Sequence, residues 1–137
     1  MKSETVKGKR AQPPACVTRE TELSLSLQKS KLGEIKVIHC RGRIVVRDEA
    51  AALSRAVAAV LEESRHVILE LQGVTAIDSG GLGELVALHM WAQGCGGTLK
   101  LSGLSSRLLY LFELTNLTTV FEIFPTQEAA LDACSAA

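Results

Sequence analysis

Residues 77–83 read Ile77-Asp78-Ser79-Gly80-Gly81-Leu82-Gly83, and there the chain concentrates groups able to do chemistry. The stretch joins an apolar run, His66-Val67-Ile68-Leu69-Glu70-Leu71, to a run with helical spacing that begins near Leu82. A short polar side chain at such a junction caps the helix, and Ser79 is read as that cap, with Asp78 sharing the role or orienting the loop. The Ser79 hydroxyl then sits at the positive end of the helix dipole beside unpaired backbone N–H groups, a setting that favours phosphate. Capping alone does not require Gly80 and Gly81, because each glycine weakens the first turn by roughly 1 kcal/mol relative to alanine. The surplus glycines imply either a tight strand-to-helix turn or close approach by a second molecule.

Other chemistries at this loop fit less well. A dinucleotide fingerprint needs three spaced glycines, but after Gly81 and Gly83 the third position holds Val86. A phosphate-cradling loop needs Gly-Lys followed by Ser or Thr, which does not occur. A nucleophile elbow would place glycine where Ile77 stands. Hydrolysis also needs a base, and His89 falls about 15 Å along the same predicted helix at 1.5 Å per residue. His39, His66 and His89 are isolated, and Cys16, Cys40, Cys95 and Cys134 form no Cys-x-x-Cys pair. No catalytic residue, metal site, cofactor or disulfide framework is therefore expected, and the chain is read as a non-enzyme.

Hydrophobic periodicity supplies the elements that hold the loop. Leu23, Leu25 and Leu27 alternate with polar residues, as do Ile35 and Val37, and residues 29–33 between them read as a turn, giving a hairpin. Asp48 precedes Ala51, Leu53, Ala56, Val57, Val60 and Leu61, one face of a helix ending near Ser64. Residues 67–71 are almost continuously apolar, as in a strand covered on both faces. The helix after Ser79 is expected to bury Leu82, Leu85, Val86 and Met90 and to end at Gly94, while Leu88, Trp91 and Ala92 project elsewhere and offer a partner patch. Strand 98–102, a helix from Ser105 or Ser106 through Leu114, strand 120–124 and a last helix after Pro125-Thr126 follow. This alternation predicts an α/β domain, a mixed sheet of about five strands with about four helices.

Size and charge bound the rest. With 137 residues, 47% of them hydrophobic, the chain supports one packed domain. Residues 1–20 carry Lys2, Lys7, Lys9, Arg10 and Pro13-Pro14 with few apolar side chains, and read as a flexible basic tail before a domain at 21–137. Fifteen basic and fifteen acidic residues cancel, so no global field draws the protein to nucleic acid or an anionic membrane. No apolar run approaches the roughly 20 residues of a membrane span, and a cytoplasmic location is expected.

Asp78-Ser79-Gly80-Gly81-Leu82-Gly83 resembles the Asp-Ser-(Ser/Thr/Gly)-Gly-Leu-Gly signature of STAS domains, especially the bacterial anti-sigma-factor antagonists. The likeness extends through residues 108–112, Leu114-Thr115-Asn116-Leu117, Val120-Phe121-Glu122-Ile123-Phe124 and Glu128-Ala129-Ala130-Leu131. It implies a single STAS-like domain acting as a regulatory switch. In that family the serine after the aspartate is phosphorylated by a partner that is both anti-sigma factor and serine kinase. The unphosphorylated antagonist binds this partner and frees the sigma factor, and a phosphatase resets the cycle. The resemblance thus implies Ser79 as the phosphorylation site, with Asp78, Gly80, Gly81, Leu82 and Gly83, and the helix positions Leu88 and Trp91, forming the partner surface. One segment differs: where the family often shows Gly-Glu-Leu-Asp, this chain has Gly42-Arg43-Ile44-Val45, making Arg43 and Val45 modulators of partner contact or, for Arg43, of a phosphate on Ser79. A non-cycling scaffold module in a signalling assembly is the alternative; nucleotide binding and serine hydrolysis are weaker competitors.

Overall fold

The computed structural model describes residues 25–45 and 48–136, so the predicted tail, Cys16 and Leu23 lie outside the described residues. The chain forms β1 (Leu25–Leu32), β2 (Ile35–Ile44), α1 (Asp48–Leu61), β3 (His66–Ile77), α2 (Ser79–Gly94) and β4 (Thr98–Ser102). It continues through α3 (Ser106–Leu114), a 3-10 turn (Leu117–Thr119), β5 (Ile123–Phe124) and α4 (Gln127–Ala136). The five strands lie in sequence order in one mixed sheet. β1 and β2 pair antiparallel because only a two-residue turn separates them, with Gly33 at φ 65°. Each later strand follows a helix that returns the chain to the same end of the sheet, so β2 through β5 pair in parallel.

The pleat divides the core between two faces. On one, Ile38, Val67, Leu69, Leu71, Leu99 and Leu101 are covered by α1, α2 and α3 through Leu53, Val57, Leu85, Leu88, Leu108 and Phe112. On the other, Val37 and Ile68 meet Ala130 and Cys134 of α4. β3 is therefore buried from both sides over residues 67–71, as its unbroken apolar run requires.

Three expectations need correction. Residues 29–32 belong to β1, and Lys29 and Lys31 are exposed on this edge strand, where lysines discourage pairing with another chain. The strand expected over 120–124 is reduced to Ile123–Phe124. Phe121 turns inward after the 3-10 turn and packs against Phe112 with ring centroids 5.8 Å apart. β2 and β3 both extend further than expected, and the extension matters most for function. Beyond two register shifts it pairs Arg43 with Ala76 and Ile44 with Ile77, carrying the end of β2 up to the loop that follows β3.

Candidate functional site

The loop is assembled from the paired ends of β2 and β3. The Asp78 N–H donates to the Ile44 carbonyl at 3.3 Å, a last rung before the chain turns into α2. Asp78 then adopts extended backbone, φ −95° and ψ −179°, and its Oδ1 accepts the Gly81 N–H at 2.7 Å. Its carbonyl accepts the Leu82 N–H at 2.9 Å, opening the helix. Asp78 is thus the N-cap and Ser79 the first helical residue, which corrects the reading of Ser79 as the cap. A cap needs extended backbone and a carboxylate or hydroxyl reaching an N–H two or three residues on, and Asp78 fills both conditions. Ser79 is left exposed, and its hydroxyl bonds to no other group among the described residues.

The glycines of the loop differ in what they do. Gly81 is buried, and a Cβ there would stand 2.3 Å from the Ile44 carbonyl oxygen, so packing against β2 excludes any side chain. Gly83 is exposed and a Cβ would meet nothing within 4 Å. Gly80 is half-buried. Upstream, Gly42 occupies φ 116° at the second register shift of β2, a conformation that favours glycine, and so sets the path of Arg43 and Ile44.

α2 carries the site outward. Its buried side is Gly81, Leu82, Leu85, Leu88 and Ala92. Ser79, Gly83, Ala87, Met90, Trp91 and Gly94 are all exposed and, at about 100° per residue, fall on one side of the helix. Met90 is 64% and Trp91 51% exposed. The phase of the helix therefore differs from the expected one: Met90 faces solvent, Val86 is half-buried, and Leu88, 1% exposed, belongs to the core and is removed from the partner surface. Leu82, at 8%, is likewise a core residue. Trp91 lies on the same exposed side as Ser79.

Arg43 is exposed opposite Ala76, and the half-buried Val45 accepts the Ala50 N–H on its carbonyl at 3.0 Å, starting α1. A contact missed in the sequence ties α1 to α2: the Ser54 hydroxyl donates to Glu84 Oε2. The signal was present, since Glu84 is the sole carboxylate in α2 and is half-buried.

The histidines lie away from Ser79. His89 is on α2 itself, its ring packed on Phe121 at 5.2 Å with Nδ1 buried and without a hydrogen bond. His66 opens β3 and bonds Thr98 Oγ1 at 2.9 Å, more than about 30 Å of extended strand from the loop. His39 pairs in register with Glu70, eight residues before Asp78. Among the described residues, no group of three or more His, Cys, Asp or Glu side chains is arranged to hold a metal ion, and Cys40, Cys95 and Cys134 are free thiols. No helix of the described residues is long and apolar enough to cross a membrane.

Comparison with known proteins agrees with this architecture. The anti-sigma-B factor antagonist of Bacillus subtilis (strain 168) is 32% identical over 82 residues, 60% of this chain and 75% of that protein. An anti-sigma factor antagonist from Mycobacterium paratuberculosis shares the fold with TM-score 0.69 at 23% identity, over 80% of this chain and 93% of its own. The Bacillus cell fate determinant SpoIIAA in its phosphorylated form does so with TM-score 0.63 at 17% identity, over 80% and 99%. The STAS domain family itself matches residues 26–130, which span the sheet, the capped loop and the start of α4. With that match over most of its length, the chain belongs to the STAS domain family.

Proposed function

We propose that this protein is an anti-sigma-factor antagonist that binds its partner through the exposed side of α2 and is released by phosphorylation of Ser79. The observation that carries this reading is the shared orientation of Ser79, Gly83, Ala87, Met90 and Trp91 on an uncovered helix side. A hydroxyl with no hydrogen bond to another described residue begins an apolar stripe that continues about 16 Å along the helix to Met90. The 32% identity to the B. subtilis antagonist supports the class of partner. The partner is an anti-sigma factor with serine kinase activity acting in the cytoplasm, and a phosphatase restores the free hydroxyl.

The charge arithmetic supports a switch of this kind. Phosphorylation adds about −1.5 to −2 charges at neutral pH, and the N-terminus of α2 accommodates them without disturbing the fold. Against a partner pressed on the apolar stripe the same charge is costly. One unfavourable pair near 4 Å costs on the order of 4 kcal/mol at an effective dielectric of 20, and about 1.4 kcal/mol is already tenfold in affinity. Incubation with the cognate kinase and ATP, followed by mass spectrometry, is expected to place a single phosphate on Ser79. Ser79→Ala should bind the kinase like wild type and Ser79→Asp more weakly; equal affinities would sink the charge switch. A second reading, a scaffold that never cycles, is favoured by the exposed Arg43 beside the loop, where the family often carries an acidic residue. Unmodified Ser79 in the presence of a kinase active on another antagonist would support it.

A further inference from the structure

The basic cluster that precedes the sheet is a motif the Ser79 switch leaves unused. Residues 1–10 carry Lys2, Lys7, Lys9 and Arg10 against Glu4, a formal net charge of +3, and because the whole chain sums to zero, residues 11–137 sum to −3. The topology decides where that charge is tethered. β1 begins at Leu25 opposite Gly42, Gly42 pairs in turn with Val74, and Ser79 stands five residues after Val74. At about 3.3 Å per residue along β3 and about 4.8 Å for each of two strand-to-strand steps, Leu25 and Ser79 lie roughly 20 Å apart at the same end of the sheet. We propose that residues 7–10 close over phosphorylated Ser79 as an intrachain clasp, holding the phosphate and covering the first turn of α2. The inference rests on the reading of Ser79 as the phosphorylation site.

Length and charge both favour that occupant. Arg10 stands 15 residues before Leu25, a stretch that spans about 50 Å when fully extended and, as an unstructured chain, averages about 20 Å. A tether whose average length matches its span holds the two ends at an effective concentration in the millimolar range. Among the described residues, the surroundings of Ser79 offer a phosphate little other compensation. α2 has no lysine or arginine, α1 opens with Asp48 and Glu49, and Asp78 adjoins the serine itself. Arg43, exposed opposite Ala76, brings a single positive charge from β2. Phosphorylation adds about −1.5 to −2 charges and three acceptor oxygens, more than one guanidinium satisfies. Arg10 supplies a planar fork of donors, and Lys7 and Lys9 supply two point charges. Before phosphorylation Ser79 has no use for them: its hydroxyl is neutral, and the Asp78 carboxylate already accepts the Gly81 N–H at 2.7 Å. The clasp therefore forms with the phosphate and shields it.

The test uses the full chain with phosphoserine inserted at position 79 during translation. No kinase is then needed, so failure of the clasp and failure of the phosphorylation reading are told apart. Phosphorus NMR follows the second ionisation of the phosphate, ordinarily near about pH 6, because paired cations favour the dianion and lower it. In wild type it is expected about half a pH unit or more below its position in a variant carrying Lys7→Gln, Lys9→Gln and Arg10→Gln. The gap should close at high salt and be unaffected by tenfold dilution. A broad-specificity phosphatase should release phosphate from the variant several-fold faster than from wild type. The three substitutions leave every described residue unchanged, and matching amide spectra of the unphosphorylated chains check that the fold is intact. The same titration in both chains, which would leave Arg43 and the helix N-terminus holding the phosphate by themselves, would overturn the proposal. So would equal rates of phosphate release, or a gap that shrinks on dilution and thereby assigns the contact to a second copy.

Discussion

Gly81 lies so close beneath the end of β2 that a Cβ added to it would stand 2.3 Å from the Ile44 carbonyl oxygen. The loop that carries Ser79 is therefore braced against a neighbouring strand by backbone packing, and the roles of Gly81 and Gly83 can be separated experimentally.

Gly81→Ala must displace β2 or the first turn of α2, and is expected to destabilise the fold by roughly 1–3 kcal/mol in urea unfolding. Gly83→Ala meets open space and removes a flexible residue from a helix, so it should stabilise by roughly 0.5–1 kcal/mol. If Gly83 serves close approach, the same variant binds the partner more weakly despite its greater stability. The opposite stability order would refute the packing account of Gly81.

Asp78 and Ser79 should likewise part company. Asp78→Ala removes the hydrogen bond to the Gly81 N–H and is expected to cost about 1 kcal/mol. Ser79→Ala removes an exposed hydroxyl with no bond to another described residue and should change stability by less than about 0.5 kcal/mol. Thermal unfolding of the two variants side by side reads the difference.

On α2, three residues separate a core position from a surface one. Leu88→Ala empties a fully buried site and is expected to lose about 2–5 kcal/mol, whereas Trp91→Ala should leave stability nearly unchanged. The proposed binding side predicts that Trp91→Ala nonetheless weakens partner binding, measurable by calorimetry. Wild-type affinity in that variant would move the interface off this side of the helix.

The cysteines predict both reactivity and pH dependence. Burial, and secondarily the nearby Glu70, push the Cys40 thiol from 9.0 up to about 12, and burial raises Cys134 as well. In a Cys16→Ser background a thiol reagent should label the exposed Cys95 first and spare Cys40 and Cys134 until the protein unfolds. Above pH 9.0 the unfolded chain releases the Cys40 proton while the folded protein keeps it. Stability present below that pH should therefore fall as pH rises towards about 12, by at most about 1.4 kcal/mol per unit from this group. Cys40→Ala should show a shallower alkaline decline than wild type.

How much of this was legible in the sequence depended on whether a pattern had one physical solution. The apolar run 67–71 could only be a covered strand, and the alternation of strands and helices fixed the sheet class. Both Asp78 and Ser79 are capping types, and only the backbone angles distinguish them. α2 is apolar on most of its circumference, so spacing alone left its rotation open, and Leu88 and Met90 exchanged places. Residues 120–124 have a strand's composition, yet Phe121 is worth more packed on Phe112 and His89 than paired in a sheet. Nothing local announced that Ile44 would abut Gly81, because that contact is made by two strands extending past the main sheet.

The sequential order of the strands has a consequence for how this molecule comes into being. Every strand from β2 onward docks beside the one made just before it, so no strand of the sheet waits for a strand neighbour still to be synthesised. Each closure spans only a hairpin, one helix or, before β5, a helix and a 3-10 turn, which keeps the entropy of loop formation small and favours rapid, stepwise growth of the sheet. The Asp78–Gly83 loop follows β3, the second strand to dock, so the exposed side of α2 is shaped before α4 closes the opposite face.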